Sequence, residues 1–305
     1  MKSFSLTWLL RAAVPAAVAV FALVGAGPSA ADTVACGTTV TADTTLKADL
    51  IGCPGDGLTV ENGVTLDLNG HIISGSGSGV GVRGGIVENG TIRGFDIGIE
   101  GPTGVRNMTV HGNRVGIVIT RPRSGPRIRV ENSTAIRNDD AGIEINAGTR
   151  NVDVADNRVL FNGGDGIRAL SEADGGTYTN NLIKGNGGDG LNVRRAFSTV
   201  VGNTARDNGA DGIHMSDDAV SGLGYFIASN LAVGNGGLGI WTWIFCGNPA
   251  FCIPPVMTDG GNNAASRNGD PAQCVNVVCS PNRGLARKSP PSEVSSLLHP
   301  SLSQP

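Results

Sequence analysis

The sequence predicts an all-β solenoid of about nine coils, a single-stranded parallel β-helix whose ends are stapled by disulfides. Three observations predict this fold class. A nine-residue frame recurs along the chain, apolar residues alternate with polar ones on both sides of the frame, and six cysteines lie toward the two ends of the repeated region. Alternation with a period of two indicates strands, and a recurring frame indicates one structural unit per copy.

The frame begins with an anchor residue, usually Asn, and ends nine residues later at a Gly that precedes Ile or Leu. Degenerate copies flank the repeats at Asn69/Ser78 and Asn263/Ala272. All length changes fall outside the frame, so we expect each copy to form one coil stacked about 4.8 Å from the next. The copies are Asn89/Gly98, Asn107/Gly116, Ser133/Gly142, Asn157/Gly166, Asn181/Gly190, Asn203/Gly212 and Asn230/Gly239.

Short strands are predicted on both sides of each anchor. Ile128 and Val130 alternate with polar residues before one anchor, and Ile143 and Ile145 alternate after the following Gly. A second Asn follows the anchor by five residues in successive copies. Stacked Asn amides can hydrogen-bond from coil to coil and can adopt the left-handed backbone of a tight turn. We therefore predict a structural role for Asn157, Asn162, Asn181, Asn186, Asn203, Asn208, Asn230 and Asn235.

The chain divides into four predicted segments. Residues 1–31 carry Lys2 and Arg11, an apolar run and small residues before Asp32, which is typical of a cleaved export signal. Residues 32–63 are expected to cap the solenoid, residues 64–282 to form it, and residues 283–305 to be a disordered Ser/Pro-rich tail. We therefore expect a secreted or cell-surface protein, without a membrane span in the mature chain.

The cysteine count suits an oxidising compartment. Cys36 and Cys53 are expected to pair at the first strands, with two further bridges among the remaining four cysteines. A metal site is the alternative, but no Cys-x-x-Cys spacing favours it. Those four are Cys246, Cys252, Cys274 and Cys279.

The charge balance argues against a nucleic-acid partner. The full chain carries a formal charge of −3, and removing the leader takes away two bases and no acid, leaving −5. A nucleic-acid binder would need a basic face to neutralise phosphates. The sequence leaves the oligomeric state open.

Four stretches of the chain carry a family resemblance, namely VTLDLNGHIISG at 64–75, NRVLFNGGDGI at 157–167, NLIKGNGGDGL at 181–191 and NTARDNGADGI at 203–213. With them the chain resembles the right-handed parallel β-helix proteins of the pectate-lyase-like superfamily, in particular exported bacterial members with short Asn- and Gly-rich repeats. The resemblance implies the right-handed fold. It also implies one of several functions, because members include polysaccharide lyases, hydrolases, epimerases and non-catalytic binding or scaffold proteins.

One flank of the solenoid is predicted to carry the functional loops, because every insertion follows the strand after the repeat Gly. The longest insertions are 120–127, 216–224 and 242–261. Loops on one face of a rigid solenoid commonly form binding sites. The adjacent strands should expose two columns of side chains, which include Glu144, Arg168, Asn192, His214 and Trp241 in the first and Arg194, Ser216 and Trp243 in the second.

An extracellular, acidic polysaccharide is the predicted partner of this flank. Indole rings at Trp241 and Trp243 can stack on sugars, and guanidinium groups at Arg168, Arg194 and Arg195 can grip carboxylates, with Lys184 as a further cation. The alternative is that the two tryptophans pack under their own loop with Phe245 and Phe251. Glu144 and Asn192 are candidate contacts to substrate hydroxyls.

Two reaction types remain open for such a site. A lyase would need a base, for which His214 is the candidate, with Arg168 and Arg194 neutralising the substrate carboxylate. A hydrolase would need two facing carboxylates, and Asp217 and Asp218, with Glu172, are the candidates.

Asp165, Asp189 and Asp211 each precede a repeat Gly, so stacking should bring their carboxylates into one column. Ca²⁺ would relieve the repulsion between them. The alternative is a set of exposed Asp-Gly turns screened by water. The leading hypothesis is a polysaccharide-binding protein with a possible lyase activity, and the rival is a non-catalytic structural or cell-surface scaffold.

Overall fold

The computed structural model describes the chain from residue 34 to residue 281, apart from five internal gaps. The predicted leader and tail lie outside the described residues, as do Glu172, Arg195, Asp218, Cys246 and Cys252. For Asp217 only the backbone is described. The described ranges are 34–120, 126–170, 175–194, 197–217, 224–244 and 257–281.

The described residues form 28 β-strands, and every strand pairing is parallel. The strands stack into three columns, which we call sheets 1, 2 and 3 in the order in which each coil visits them. Sheet 1 holds β1 (Thr38–Val40), β7 (Ile97–Glu100), β9 (Val115–Ile119), β12 (Ile143–Ile145), β15 (Ile167–Ala169), β18 (Leu191–Val193), β21 (Ile213–Asp217), β24 (Ile240–Ile244) and β27 (Cys274–Val275).

Sheet 2 holds β2 (Thr44–Thr45), β10 (Ile128–Glu131), β13 (Val152–Ala155), β16 (Thr177–Thr179), β19 (Thr199–Val201), β22 (Tyr225–Ala228) and β25 (Met257–Gly261). Sheet 3 holds β3 (Leu50–Cys53), β5 (Ile72–Gly75), β11 (Thr134–Ile136), β14 (Arg158–Leu160), β17 (Leu182–Lys184), β20 (Thr204–Arg206), β23 (Leu231–Val233), β26 (Asn263–Ser266) and β28 (Cys279–Pro281). Three longer strands turn corners between sheets: β4 (Leu58–Asp67), β6 (Val80–Arg93) and β8 (Gly104–His111).

The predicted all-β solenoid is confirmed, and the stack extends beyond the nine-residue frames at both ends. β1 pairs with β4 and β3 with β5, so residues 34–57 form a first coil in parallel register with the second. β4 runs across residue 63, where the sequence predicts the change from cap to solenoid. At the other end β27 and β28 form a partial last coil on β24 and β26.

Apolar side chains fill the interior in columns. In sheet 1 equivalent residues pair in register from coil to coil, and each is at most 1% exposed. Burial of such aliphatic chains is the main driving force for folding, at roughly 1.5–3 kcal/mol each. The column runs through Ile117, Ile143, Ile167, Leu191, Ile213 and Ile240.

Two buried Asn ladders run along the corner between sheets 2 and 3 and along the next turn. Asn157 Nδ2 donates to Asn181 Oδ1 at 3.1 Å and to the Val130 carbonyl at 2.8 Å, and the Asn157 backbone N–H donates to the same Asn181 oxygen. The pattern repeats at Asn181, Asn203 and Asn230, and in the second ladder at Asn138, Asn162, Asn186, Asn208 and Asn235.

Each ladder is closed at its last coil by a different acceptor. Asp259 Oδ1 accepts from Asn263 Nδ2 at 3.0 Å, and Gln273 Oε1 accepts from Asn268 Nδ2 at 2.9 Å. The second ladder begins one coil earlier than the sequence indicated, at Asn113, whose Oδ1 accepts from the Phe95 N–H. These bonds satisfy turn amides that water cannot reach.

The nine-residue frame misplaces the anchor residue in its first copies. Thr109 pairs with Thr134, which aligns Asn107 with Asn132 and not with the buried anchor Ser133. Asn107 has φ of 52° and Asn132 has φ of 51°, so both occupy the left-handed position of the turn. Asn107 Nδ2 donates to Asn89 Oδ1 in a separate, exposed ladder. The frame fails here because, between its sheet 3 strand and its repeat Gly, the Asn107 coil has one residue fewer than the next coil.

The predicted Cys36–Cys53 disulfide is confirmed, and the structure pairs two of the four cysteines whose connectivity the sequence left open. Cys36 bonds to Cys53 across the first coil, and Cys274 bonds to Cys279 in the last. No helix among the described residues is long and apolar enough to cross a membrane.

Candidate functional site

The outer face of sheet 1 carries the side chains that the sequence singled out. Strand register places Glu144, Arg168, Asn192, His214 and Trp241 in one line, each on the next coil. We call these five residues the polar column. Ser216 pairs with Trp243, and the backbone N–H of Arg194 bonds to the Ala169 carbonyl in the coil before it.

The polar column is more buried than an ordinary outer surface. Asn192 is 6% exposed, and Val118, the preceding member of the line, is 4% exposed. Val118 belongs to a small apolar cluster with Val115 and Ala141, against which Ile97 packs. Aspartates of the neighbouring turn also bond to the column, so the expectation that the strands expose it is wrong for Asn192, and the other four members are partly buried.

The aspartates before the repeat glycines form a ladder of their own. Asp165 Oδ1 accepts the Asp189 backbone N–H at 2.8 Å, and Asp189 Oδ1 accepts the Asp211 N–H at 2.9 Å. Asp211 Oδ1 accepts the Leu238 N–H at 2.7 Å. The turns are therefore partly buried, hydrogen-bonded structures. The alternative that the sequence left open, exposed Asp-Gly turns screened by water, does not describe them.

The second oxygen of each aspartate faces the polar column. Asn192 Nδ2 donates to Asp165 Oδ2 at 3.1 Å, and His214 Nδ1 donates to Asp189 Oδ2 at 3.2 Å. His214 Nδ1 also lies 3.8 Å from Asp211 Oδ2. Burial raises the pKa of both Asp165 and Asp211, and the neighbouring Asp189 charge adds to the effect.

Arg168 is held by two carboxylates of its own chain. Its guanidinium bonds to Asp140 Oδ2 at 2.9 Å and makes two contacts with Glu144 Oε2, one of them at 3.0 Å through Nε. Burial opposes the charge of Arg168, but these bonds outweigh it and raise its pKa further. Asp140 was missed by sequence reasoning because it lies two residues before Gly142, outside the Asp-Gly column.

The aromatic residues stack at the end of the column. The His214 and Trp241 ring centroids are 4.3 Å apart, and the Trp241 and Trp243 centroids are 6.0 Å apart with planes inclined by 18°. Trp243 is 45% exposed. The sequence left open that the tryptophans pack with Phe245 and Phe251, and both of these residues lie outside the described residues.

The remaining candidates fall in different places. Arg194 is exposed directly after β18, on the same flank as Trp243. Lys184 is on sheet 3, 3.9 Å from Asp207 and above the Phe161 ring, so it does not join this face. The Asp217 backbone pairs with Ile244 at the end of β21.

Three ligand atoms of this face lie close together. Asp189, Asp211 and His214 each offer one within 4.8 Å of the others. Asp165 is outside this group, so the described acidic cluster differs from the three-aspartate set expected for Ca²⁺.

The strand order and the repeated turns define a parallel β-helix, and the comparisons with known proteins assign its class. The family model for the right-handed β-helix region matches residues 41–204 and 100–250. The chain therefore belongs to the right-handed β-helix family. No curated protein matches the chain significantly in sequence.

Two solved structures are similar to this chain at low identity. One is a point mutant of the periplasmic alginate epimerase AlgG, with 15% identity and a TM-score of 0.46; the match covers 72% of this chain and 51% of that one. The other is the pectate lyase Pel9A, with 16% identity and a TM-score of 0.46; the match covers 79% of this chain and 71% of that one. The matched part thus spans about half the length of the epimerase.

Proposed function

We propose that this protein is exported and binds an extracellular polysaccharide on the flank of sheet 1. The observation that carries the proposal is the nearly parallel Trp241–Trp243 pair, in which Trp243 is 45% exposed and Trp241 is partly buried. Indole faces stack on the apolar faces of sugar rings, and Trp243 offers such a face at the end of the polar column, with Trp241 packed beside it. The two disulfides at the ends of the solenoid support export, because such bonds persist in oxidising compartments.

An acidic polymer is the substrate class that we propose. Arg194 and Trp243 occupy the same outer line, with Ser216 between them, so they are two coils or about 10 Å apart along the stack. A sugar ring on Trp243 would bring a neighbouring carboxylate within reach of the Arg194 guanidinium. Arg168 contributes less to this binding because Asp140 and Glu144 already neutralise it.

A lyase-type reaction is the second candidate function, and the Asp189–His214 hydrogen bond is the observation that favours it. Asp189 orients the imidazole through Nδ1, which leaves Nε2 to act as a base. In β-elimination the base takes the proton from the carbon next to the carboxylate, a double bond forms, and the glycosidic bond breaks. The leaving oxygen keeps the electron pair of the broken bond and takes up a proton from water, and His214 returns its proton to solvent.

The rival function is a non-catalytic scaffold. It is favoured by the number of outer polar groups that bond within the chain, including Arg168, Asn192 and the aspartate ladder. A scaffold would use these groups for stability and would need no soluble ligand.

The test is retardation in affinity gels that contain acidic or neutral polysaccharides, with and without Ca²⁺, together with absorbance of unsaturated products. We expect retardation by an acidic polymer that is lost in Trp243→Ala and weakened in Arg194→Gln. Phe226→Ala is the matched control, because it removes an exposed aromatic ring, 38% accessible, from sheet 2. Equal losses of retardation in Phe226→Ala and Trp243→Ala would contradict the role of Trp243 as a stacking surface for sugars.

Product absorbance separates the two candidate functions. Absorbance that disappears in His214→Gln while retardation persists would establish the lyase reaction. Retardation without absorbance would make the protein a binding module. Neither signal with any polymer would favour the scaffold.

A further inference from the structure

Two carboxylates and one imidazole converge beneath the aromatic pair. His214 Nδ1 lies 3.2 Å from Asp189 Oδ2 and 3.8 Å from Asp211 Oδ2. All three side chains are largely shielded from solvent, with exposures of 14% for His214, 11% for Asp189 and 14% for Asp211. The aspartates cannot turn away readily, because their Oδ1 atoms accept backbone N–H groups of the next coil.

A buried oxygen without a partner lies beside this cluster. Asn192 is 6% exposed, and its Oδ1 has no hydrogen-bond partner among the described residues. Asn192 pairs with His214 in the strand register, so the two side chains are neighbours on the same face. Its Nδ2 reaches back one coil to Asp165. Asp165 belongs to the coil before Asn192 and His214 to the coil after it, and the oxygen and nitrogen of a planar amide diverge, so Oδ1 lies on the side of the amide away from Asp165.

An unpaired amide oxygen buried to this degree is unfavourable by about 1–3 kcal/mol unless something binds it. The Asp189 and Asp211 carboxylates also repel each other, because they offer atoms within 4.8 Å of one another and their Oδ1 atoms are held by backbone N–H groups. A divalent cation would remove both penalties at once, since it accepts electron pairs from carboxylate, amide and imidazole donors.

We propose that Asp189 Oδ2, Asp211 Oδ2, His214 Nδ1 and Asn192 Oδ1 bind a borderline divalent cation of the Zn²⁺ type. Donors about 2.1 Å from one ion lie roughly 3–3.5 Å from each other, close to the His214 distances of 3.2 and 3.8 Å. The imidazole nitrogen selects such an ion over Ca²⁺, which prefers oxygen donors only. On binding, the proton on Nδ1 is released and the cation takes its place between His214 and the carboxylates.

The chain contains a natural control for this site. His71 Nδ1 lies 3.0 Å from Asp49 Oδ1, so this pair resembles the His214–Asp189 pair of the cluster. The pair is more exposed, at 30% and 44%, and it belongs to no group of three possible metal ligands among the described residues. A His–Asp pair alone should bind weakly, so His71→Gln tests whether the convergence of four donors matters.

The experiment is titration calorimetry of the mature protein, without a polyhistidine tag, against Zn²⁺ and separately against Ca²⁺. We expect one high-affinity Zn²⁺ per chain and Ca²⁺ binding at least tenfold weaker. His214→Gln and Asp211→Asn should each weaken Zn²⁺ binding at least tenfold, and His71→Gln should leave it unchanged. Asp211→Asn retains an oxygen for the Leu238 N–H, so the turn stays intact, and far-ultraviolet circular dichroism of each variant verifies the fold.

Co²⁺ provides a second readout, because a four-coordinate protein site gives intense visible absorption bands that should weaken and shift when His214→Gln removes one ligand. Equal affinity in native protein, His214→Gln and Asp211→Asn would overturn the proposal, as would Ca²⁺ binding with the higher affinity. The titration contains no saccharide, so its outcome is independent of whether Trp241 and Trp243 bind a polysaccharide.

Discussion

A Cβ atom on Gly166 would lie 2.8 Å from Asn186 Nδ2 and 2.6 Å from the Gly190 carbonyl oxygen. This relationship explains why the nine-residue frame ends in Gly. The residue is not glycine because of an unusual φ; it is glycine because the Asn ladder and the next coil occupy the space. The same contacts recur at Gly142, Gly190 and Gly212.

Gly166→Ala should therefore lower the free energy of unfolding by about 2–3 kcal/mol, because the methyl group must displace backbone atoms. Gly104→Ala is the matched control, since a Cβ there would meet only atoms at 3.7 Å or beyond. Urea denaturation of both variants measures the difference. An equally small effect at both positions would show that the coils separate easily.

Removal of a buried ladder amide should be more harmful than removal of an exposed one. Asn162→Ala deletes an acceptor for the Asn138 N–H and side chain and a donor to the Ala135 carbonyl. Buried groups left unpaired are expected to lower stability by about 3–5 kcal/mol in total. Asn107→Gly, in the exposed ladder, retains the left-handed turn and should change stability by less than about 1 kcal/mol. Chemical denaturation distinguishes the two.

The two candidate arginines should differ in stability. Arg168→Ala leaves Glu144 and Asp140 without their cation, and Glu144 is only 15% exposed, so we expect a loss of about 2–3 kcal/mol. Arg194→Ala removes an exposed side chain and should stay within about 0.5 kcal/mol. Thermal melts of both variants at one pH check this, and a larger loss for Arg194→Ala would contradict the described ion pairs.

Two aspartates should respond to pH with opposite signs. Burial raises the pKa of Asp165, so its stabilising contribution is fully present below the unfolded pKa and is lost as pH rises through the folded pKa. Hydrogen bonds from Arg114 lower the pKa of Asp96, so its contribution is present above the unfolded pKa and is lost as pH falls through the folded pKa.

Asn substitution at each position measures this effect. In chelator-containing buffer between about pH 3 and pH 7, Asp165→Asn should gain stability relative to the native protein as pH rises. Asp96→Asn should lose stability over the same range. Parallel curves for the two variants would mean that the environments of the two carboxylates do not differ as described.

The disulfide of the first coil should contribute more than that of the last. The Cys36–Cys53 bond closes a separation of 17 residues and the Cys274–Cys279 bond a separation of 5. Loop entropy alone gives about 3 and about 2 kcal/mol respectively. Paired Cys→Ala variants compared by denaturant unfolding measure this order, and the reverse order would mean that packing of the partly buried Cys274 dominates.

The sequence by itself determined the strands, the turns and the family, because these follow from patterns within about ten residues. Alternating residues such as Ile143 and Ile145 define the inner face, and Asn and Gly define the corners. The disulfide between Cys36 and Cys53 was also predictable, since both flank the first strands.

Only the tertiary structure decided which side chains meet across coils. Arg168 finds Asp140 across 28 residues and His214 finds Asp189 across 25, and these separations depend on the length of every intervening turn. One residue fewer before Gly116 makes a count of nine back from that Gly end at Asn107, which lies in the exposed ladder, whereas Met108 occupies the place of the buried anchor. Local chemistry therefore determines the coil, whereas the site depends on which residues the stacking of coils places side by side, because the turns absorb changes of length while the strands stay in register.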